Sequence, residues 1–363
     1  MTELPFQRDR NLPSVAPPLS LEAIEAFDTV IDARSPSEFA EDRLPGAINC
    51  PVLDDAERAL VGTTYKQQSS FEAKRLGAPL VAKNIARHIE ERFAVQPRTW
   101  KPLVYCWRGG GRSGALVQVL RQVGWDAKQL DGGYKAFRRQ VAAELETLPA
   151  RFTYHVIAGP TGTGKSRLLE ALAASGAQVL DLEQLAAHRG SVLGDLPGAP
   201  QPPQKTFETR IWVALSRCEP SRPVYVEAES KRVGKLRVPD LLMERMRQGR
   251  CYAIDLATEG RVRLLIEEYA HLIAHPGLLV ERLEVLAGLH PRERIDRWKA
   301  LVTERDWPKL VESLLAEHYD PAYHRSMFRN YRQVALAGPV VVADIGPKGF
   351  LEAARRLLAV PVQ

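Results

Sequence analysis

Residues 159–166 constrain the fold of this chain more than any other segment. They read Gly-Pro-Thr-Gly-Thr-Gly-Lys-Ser, which is the G-x4-G-K-[ST] spacing of a P-loop. The apolar run 152–158 before the loop predicts a buried strand, and residues 167–174 predict a helix. In that context backbone N–H groups cradle phosphates, Lys165 reaches the terminal phosphates and Ser166 can ligate Mg²⁺. We therefore expect a parallel α/β sheet with an anion site at the end of one strand.

Two further predicted strands end in carboxylates. Residues 178–181 and 223–229 each read as a short apolar strand with acidic residues at its end. In P-loop folds the strand beside the loop usually ends in an acid that orients Mg²⁺ or water. The candidate Mg²⁺ or acid residues are therefore Asp181, Glu227 and Glu229, and the alternative is that they are solvated strand ends.

A second glycine loop follows a predicted buried strand at residues 102–105. It reads Cys-Trp-Arg-Gly-Gly-Gly-Arg-Ser from residue 106 and leads into a predicted helix. A cysteine there faces N–H donors that stabilise a thiolate and hold an anion, which is the environment of a nucleophile. Cys106 is the candidate catalytic residue, with a buried structural cysteine as the alternative. The candidate anion loop comprises Arg108, Gly109, Gly110, Gly111, Arg112 and Ser113, the last of which is expected to cap the following helix.

Composition bounds the remaining possibilities. A chain of 363 residues suggests two or three domains, and its net charge of +6 permits a polyanionic partner. The four cysteines stand far apart, which argues against a zinc site and a disulfide framework. No stretch approaches the roughly 18 apolar residues of a membrane span, so we expect a soluble, cytoplasmic protein without a membrane partner.

Three separated motifs resemble a rhodanese domain over about residues 15–145. They are "DARSPSEF" at 32–39 with "LPGAIN" at 44–49, the Cys106 loop, and "GGYKAF" at 132–137. The resemblance implies a small parallel sheet with helices on both sides, and it places Cys106 where that family carries a sulfur- or selenium-accepting cysteine. The C-x5-R spacing is one residue longer than usual and matches cysteine phosphatases, although Tyr105 stands where those have histidine. A wider ring of N–H groups fits a tetrahedral oxyanion, and Arg112 can supply a bidentate fork.

Further segments occur in an order that resembles the tRNA 2-selenouridine synthase family over nearly the whole chain. They include "VGTTYKQQ" at 61–68, "LDLEQLAAHRGS" at 180–191, "VEAESKRVG" at 226–234, "EEYAHL" at 267–272 and "HYDPAY" at 318–323. The resemblance implies replacement of the 2-sulfur of wobble 2-thiouridine by selenium from selenophosphate. It also implies geranyl transfer from geranyl diphosphate to that sulfur, giving an S-geranyl intermediate. Cys106 aligns with the family's essential cysteine.

The expected domain order follows from these motifs. We expect an α/β protein with a leader at 1–18, a rhodanese-like parallel-sheet domain at 19–147 and a P-loop NTPase-like α/β domain at 148–260. A helical region at 261–335 follows, and a late strand and helix at 336–363 pack on the P-loop sheet. The proline-rich loop at 193–205 is longer than a neutral connection and is interpreted as a functional lid.

The two loops suggest a division of labour between two co-substrates. Selenophosphate is assigned to the Cys106 loop, and the pyrophosphate of geranyl diphosphate to Gly159, Thr161, Gly162, Thr163, Gly164, Lys165 and Ser166. ATP is not expected to be required, whereas Mg²⁺ is a candidate cofactor. Thiolated tRNA is the expected partner, with the selenophosphate-producing enzyme as a further one. Basic residues suited to tRNA phosphates are Arg189, Lys231, Arg232, Lys235 and Arg237, with a solvated helix face as the alternative.

Three other functions stay open at this point. An ATP-dependent tRNA sulfurtransferase would need an adenylation site, and no second nucleotide motif is present. A C-x5-R phosphatase is testable with an aryl phosphate. A regulatory rhodanese module joined to a nucleotide switch is disfavoured because both Cys106 and Lys165 are intact.

Overall fold

The computed structural model describes residues 13–191, 193–196, 198–331, 333–334 and 337–359. The chain divides into two compact units. The first comprises the described residues up to Leu145 together with Pro203–Arg217, and the second comprises Glu146–Pro202 and the described residues from Cys218 onward. Most of the predicted leader lies outside the described residues.

The first unit is built on a five-stranded sheet in which every neighbouring pair is parallel. Its strands lie in the order β1-β5-β4-β2-β3, with bounds β1 Ser14–Val15, β2 Thr29–Asp32, β3 Ile48–Asn49, β4 Pro102–Tyr105 and β5 Lys128–Leu130. All four residues of β4 are buried, as expected for a central parallel strand covered on both faces. Strand β1 lies within the predicted leader and pairs with β5, so these two residues of the leader belong to the sheet.

Six helices of the first unit precede its boundary at Leu145. They are α1 Leu21–Glu25, α2 Pro36–Glu41, α3 Asp55–Gln67, α4 Ser70–His88, α5 Gly111–Val123 and α6 Gly133–Leu145. Helices α3 and α4 form a hairpin that was not predicted from the sequence. The residues that cap the N-termini of these two helices are nevertheless of types that the sequence shows as typical caps. Asp54 accepts a hydrogen bond from Glu57 N, and Ser69 accepts one from Glu72 N.

The second unit contains a second parallel five-stranded sheet, in the order β12-β11-β6-β8-β7. The central strand β6 carries the P-loop at its end, and all five of its residues are buried. The strand bounds are β6 Tyr154–Ala158, β7 Gln178–Leu180, β8 Val224–Glu227, β11 Arg250–Asp255 and β12 Pro339–Val341, and a separate antiparallel hairpin joins β9 Arg232–Val233 to β10 Leu236–Arg237.

Helices cover this sheet and then form a helical region with its own core. Their bounds are α7 Lys165–Ala174, α8 Leu182–Ala186, α10 Asp240–Gln248, α11 Thr258–Glu268, α12 Ala270–Ile273, α13 Pro276–Glu284, α14 Arg292–Glu304, α15 Trp307–Leu314, α16 Asp320–Asn330 and α17 Pro347–Leu358. Helix α9 Gln204–Ser216 comes between α8 and α10 in the chain but is part of the first unit. Pro276 and Pro308 lie in the first turns of α13 and α15, where a missing N–H costs nothing. Trp298 of α14 is fully buried in the core of the helical region.

Helix α9 belongs to the first unit although it lies within the expected P-loop domain. Its buried face packs on α6, where the ring of Trp212 meets Phe137 edge-on at 5.7 Å. Trp212 Nε1 donates to Glu144 at 2.7 Å, and Thr209 Oγ1 donates to Asp42 at 3.0 Å. The predicted domain boundaries did not assign α9 to the first unit. An amphipathic pattern shows which face of a helix is apolar, but not which sheet that face packs against.

The α/β class and the succession of two parallel-sheet units agree with the predicted fold class. Within the described residues, no helix combines the length and apolar character needed to cross a membrane.

Candidate functional site

Cys106 directly follows β4, and the backbone of a distant segment fixes its position. Tyr134 N donates to Cys106 O at 2.8 Å, and Lys135 N donates to Trp107 O at 2.9 Å. Gly133, at φ +57°, makes this contact possible because a Cβ there would lie 2.4 Å from Cys106 O. The "GGY" motif is therefore structural: it clamps the start of the cysteine loop.

The thiol of Cys106 is 3% exposed and has a specific polar partner. Ser113 Oγ donates to Cys106 Sγ at 3.2 Å, and Gln129 Nε2 donates to Ser113 Oγ at 2.7 Å. The expected capping role of Ser113 is wrong: Gly110, in the left-handed region at φ +77°, is the N-cap of α5, and Ser113 lies in the first turn. Its hydroxyl faces the sulfur, and Gln129 was not predicted to belong to this site.

Arg112 is buried in the same loop and forms an ion pair. Its Nη1 and Nη2 donate to Glu38 at 2.5 and 3.2 Å. Burial alone raises the pKa of Glu38, but the hydrogen bonds and charge of Arg112 outweigh it and hold that pKa below its usual value. An anion fork at Arg112 stays a prediction, and such an anion has to compete with Glu38. Arg108 is half-buried in the loop, and Gly109 is exposed.

The "DAR" motif at 32–34 forms the frame of this loop. Arg34 donates to both carboxylate oxygens of Asp32 and to Asp42 O, and its guanidinium lies 4.1 Å from the ring centroid of Tyr134. Each group is buried and paired, which is the condition under which a buried ion pair is tolerated. A further arginine, Arg58, was not predicted for the site. Its pKa is lowered by burial and by the nearby charge of Arg112, so two cations flank this loop.

The P-loop of the second unit has the geometry that its sequence predicts. Gly162 and Gly164 adopt φ +80° and +78°, and Gly164 is the N-cap of α7. A Cβ on Gly164 would lie 2.3 Å from the ring of Phe350. Thr163 Oγ1 donates to Pro160 O at 2.8 Å, which closes the loop. Lys165 Nζ donates to Gly159 O at 3.0 Å, so the ammonium lies over the anion cradle.

The hydroxyl of Ser166 contacts one carboxylate of an acidic cluster. Its Oγ donates to Glu183 Oε2 at 3.1 Å, and Glu183 N donates to Glu227 Oε1 at 2.8 Å. Burial raises the pKa of Glu227 well above its usual value, and its Oε2 has no hydrogen-bond partner within the described part of the chain. Burial and the neighbouring Glu183 raise the pKa of Glu229 to about 8.

The three predicted acids thus lie in one cluster, but their roles differ. Asp181 is the N-cap of α8, where it accepts from Gln184 N at 2.7 Å, and burial raises its pKa to about 6. Glu183 was not predicted, although it stands only two residues beyond Asp181. Among the described side chains, no three acidic, histidine or cysteine residues converge as ligands of one metal ion. Mg²⁺ therefore stays a prediction that rests on Ser166 and these carboxylates.

A pocket of about 360 Å³ opens over the P-loop. Apart from the loop itself, its wall is rich in aromatic side chains, namely Tyr269, His318, Tyr319, Tyr323 and Tyr331. Residues 189–191 also line it: Arg189 pairs with Glu268 at 3.2 Å, and Ser191 Oγ lies 3.2 Å from Tyr269 Oη. A Cβ on Gly190 would lie 2.5 Å from Glu183 and 2.8 Å from Glu229. This segment therefore closes over the carboxylates.

The other predicted basic residues lie on the β9–β10 hairpin. Lys231, Arg232, Lys235 and Arg237 are exposed, whereas Val233 and Leu236 are buried. Arg237 pairs with Asp240 at 2.7 Å. Gln201 fixes the turn by donating to Val233 O at 3.0 Å and accepting from Lys235 N at 2.8 Å. Arg189 is separate from this group, because it lines the P-loop pocket and the hairpin residues do not.

Arg261 braces the P-loop from α11 and was not predicted. It is 7% exposed, and its Nε and Nη2 donate to Thr161 O at 3.0 and 2.8 Å. It also pairs with Asp320 of α16, at 2.6 and 3.0 Å. Because the fork holds the Thr161 carbonyl on the outside of the loop, it favours the orientation in which N–H groups point to a bound anion.

These features define the class of protein: a rhodanese-like unit with a cysteine in an anion loop, followed by a P-loop α/β unit. The family model described as a rhodanese-like domain matches residues 19–140. The model described as the tRNA 2-selenouridine synthase AAA domain matches residues 152–279.

Relatives extend this match over most of the chain. The tRNA 2-selenouridine synthase of Nitrosomonas europaea is 39% identical over 69% of this chain and 66% of that protein. That of Alcanivorax borkumensis is 32% identical over 85% of this chain and 92% of that protein, and that of Marinobacter nauticus is 32% identical over 87% and 93%. The chain belongs to the tRNA 2-selenouridine synthase family, whose members are transferases.

Proposed function

We propose that this protein replaces the 2-sulfur of wobble 2-thiouridine in tRNA with selenium from selenophosphate. The proposed route passes through an S-geranyl intermediate made from geranyl diphosphate. Family membership supports the tRNA substrate and the exchange of sulfur for selenium. A tRNA substrate would place the protein in the cytoplasm, with the enzyme that makes selenophosphate as a further partner.

The observation that carries the geranyl step is the wall of the P-loop pocket. Backbone N–H groups, Lys165 and Ser166 form a cradle suited to pyrophosphate. Directly beside them the wall is formed by Leu265, Met327 and several tyrosine rings. A diphosphate ester with a hydrocarbon chain matches both halves of such a pocket, since apolar walls favour apolar groups. ATP hydrolysis is not part of this proposal.

Geranylation prepares the carbon that selenium attacks. The 2-sulfur of thiouridine is a poor leaving group while it is a thiocarbonyl. When the sulfur attacks the first carbon of the geranyl chain, a carbon–sulfur bond forms and diphosphate leaves. The sulfur then becomes a thioether on an electron-poor ring carbon, from which it can depart as geranyl thiol. The two steps need different electrophiles and different anions, which explains two separate loops.

The Cys106 loop is the proposed site for selenophosphate. First-turn N–H groups of α5 have no partner inside the helix, so they are available to an oxyanion. Ser113 donates to the sulfur of Cys106, the proposed nucleophile. When this sulfur attacks the phosphorus of selenophosphate, a sulfur–phosphorus bond forms, the phosphorus–selenium bond breaks and selenide leaves to attack carbon 2. Water then releases phosphate from the cysteine. Arg108 and Arg112 are the proposed anion-binding side chains.

Charge complementarity extends the proposal to tRNA. The exposed cations Lys231, Arg232 and Lys235 follow the strand-end acid Glu229 within a few residues. They are proposed to contact tRNA phosphates beside the P-loop pocket. Mg²⁺, if the reaction uses it, is proposed to lie between Ser166 and the carboxylates of Glu183 and Glu227, whose repulsion a cation relieves.

Two substitutions test the division of labour. Lys165→Ala should abolish geranylation of thiolated tRNA, because it removes the cation from the pyrophosphate cradle. Cys106→Ser should abolish selenation but leave geranylation within about a factor of three of wild type. Nucleoside mass analysis of the tRNA reports both products, and ATP consumption is followed in the same samples. Full geranylation by Lys165→Ala, or equal loss of both activities in Cys106→Ser, contradicts the assignment.

A further inference from the structure

A second, partly open cavity lies beside the P-loop. Its volume is about 60 Å³, and it lies among helices α11, α13 and α15. The side chains that line it are almost entirely apolar, and among the described residues no charged side chain takes part. The lining includes Leu265, Leu279, Trp307, Leu310, Val311 and Leu314.

The cavity borders the pocket over the P-loop. Thr161, Leu265, Tyr269 and Tyr319 line both spaces. Leu265 also contacts the P-loop backbone, since a Cβ on Gly162 would lie 2.8 Å from its side chain. The anion cradle and the apolar cavity are thus direct neighbours, with Leu265 lying against both.

The lining of the cavity selects the chemistry of that ligand. A nucleobase carries polar edges, and burying them without hydrogen-bond partners is unfavourable. An apolar cavity of this kind stays dry and accepts hydrocarbon. An anion cradle beside such a cavity therefore fits a phosphate head joined to an apolar chain.

We propose that this cavity receives the distal end of the hydrocarbon chain and thereby sets the chain length that the protein accepts. The inference rests on the proposed function, in which the P-loop holds a prenyl diphosphate. A cavity needs roughly 10–15 Å³ for each water-sized group, so this one accommodates about four to six. That is the size of the branched end of a geranyl chain. A dimethylallyl chain is too short to reach it, and a farnesyl chain is too long to fit.

We predict that the affinity for a prenyl diphosphate depends on the length of its hydrocarbon chain. Burying about four carbon atoms should make geranyl diphosphate bind on the order of 100-fold more tightly than pyrophosphate. Dimethylallyl diphosphate should gain much less, because its chain ends before the cavity. Farnesyl diphosphate should bind more weakly than geranyl diphosphate.

Titration calorimetry with these four ligands on the full chain tests the proposal. Val311→Phe narrows the cavity and should lower the preference for geranyl over dimethylallyl diphosphate at least tenfold, with pyrophosphate affinity unchanged. The matched control is Val280→Phe, the same change at a half-buried position that packs on the same core but does not line the cavity. Trp307→Leu widens the cavity and should improve farnesyl diphosphate binding about tenfold.

Two results overturn the inference. One is a wild-type protein that binds all four ligands equally. The other is a pair of variants, Val311→Phe and Trp307→Leu, that leave the order of chain-length preference unchanged. Geranyl transfer to thiolated tRNA is measured separately: chain-length-dependent binding without any transfer supports the cavity and contradicts the proposed function.

Discussion

At the scale of single residues, the carboxyl group of Glu229 makes the stability of the folded protein depend on pH. Its pKa is raised from the usual 4.5 to about 8 by burial and by Glu183. Between these two values the unfolded chain loses a proton that the folded protein retains. Stability contributed by Glu229 is therefore fully present below about pH 4.5 and is lost as the pH rises through about 8.

Glu229→Gln should remove the loss of folding stability that wild type shows as the pH rises. We expect the variant to be more stable than wild type by on the order of 1 kcal/mol or more at pH 8.5, and by much less at pH 5. Urea unfolding at a series of pH values measures the difference. Glu352→Gln, at an exposed glutamate of α17, is the matched control. A difference between variant and wild type that does not grow with pH contradicts the buried-carboxylate interpretation.

Residues inside the two loops could be predicted from the sequence because their spacing encodes the geometry. Lys165, Ser166 and Gly164 occupy the places that the P-loop pattern assigns, and Cys106 directly follows its strand. Glu183, Gln129 and Arg261 could not be found in this way. Each reaches a loop from elsewhere in the chain, so its partner is set by packing and not by a local pattern.

At the scale of elements, the β9–β10 hairpin is a small platform for cations. Burial of Val233 and Leu236 leaves the intervening and flanking basic side chains in solvent. Gln201 holds the turn, so the positions of Arg232 and Lys235 are fixed relative to each other. Arg237 already pairs with Asp240 and is the weakest candidate of the four.

The triple variant Lys231→Gln, Arg232→Gln, Lys235→Gln should weaken tRNA binding and flatten its salt dependence. Each phosphate contact that is lost lowers the slope of log K against log salt by about 0.9, so the slope should fall by about 2–3. Filter binding between low and moderate salt measures it. The control variant changes Arg263, Lys348 and Arg355, which are also exposed in the second unit, to glutamine. Equal slopes for the two variants contradict a specific role for the hairpin.

Elements also show where the sequence pattern has limits. The strands and helices next to the two loops could be predicted, because an apolar run before a glycine loop indicates a buried strand followed by a helix. Helix α9 has an equally clear amphipathic face, yet its Trp212 and Phe207 are buried by the first unit and not by the sheet expected for them. Periodicity gives the face of a helix, and tertiary packing decides the partner.

At the scale of the whole molecule, the two loops lie on two separately packed sheets. Each sheet has its own core, and no residue belongs to both cores. The proposed reaction likewise separates into two steps, joined by a modified tRNA that is a stable molecule in its own right. Nothing in the chemistry requires one protein molecule to perform both steps on the same tRNA.

The prediction is complementation between two inactive proteins. Lys165→Ala retains the cysteine loop, and Cys106→Ser retains the P-loop, so each is expected to be inactive in selenation. An equimolar mixture with excess thiolated tRNA, geranyl diphosphate and selenophosphate should form 2-selenouridine at a rate within about tenfold of wild type. S-geranyl-2-thiouridine should accumulate first, because it is made by the Cys106→Ser protein and must be released before the other variant can use it. A double variant carrying both changes, mixed with wild type in the same ratio, controls for competition for tRNA. If the mixture accumulates the geranylated nucleoside but never forms selenouridine, transfer between the two loops has to occur within one molecule.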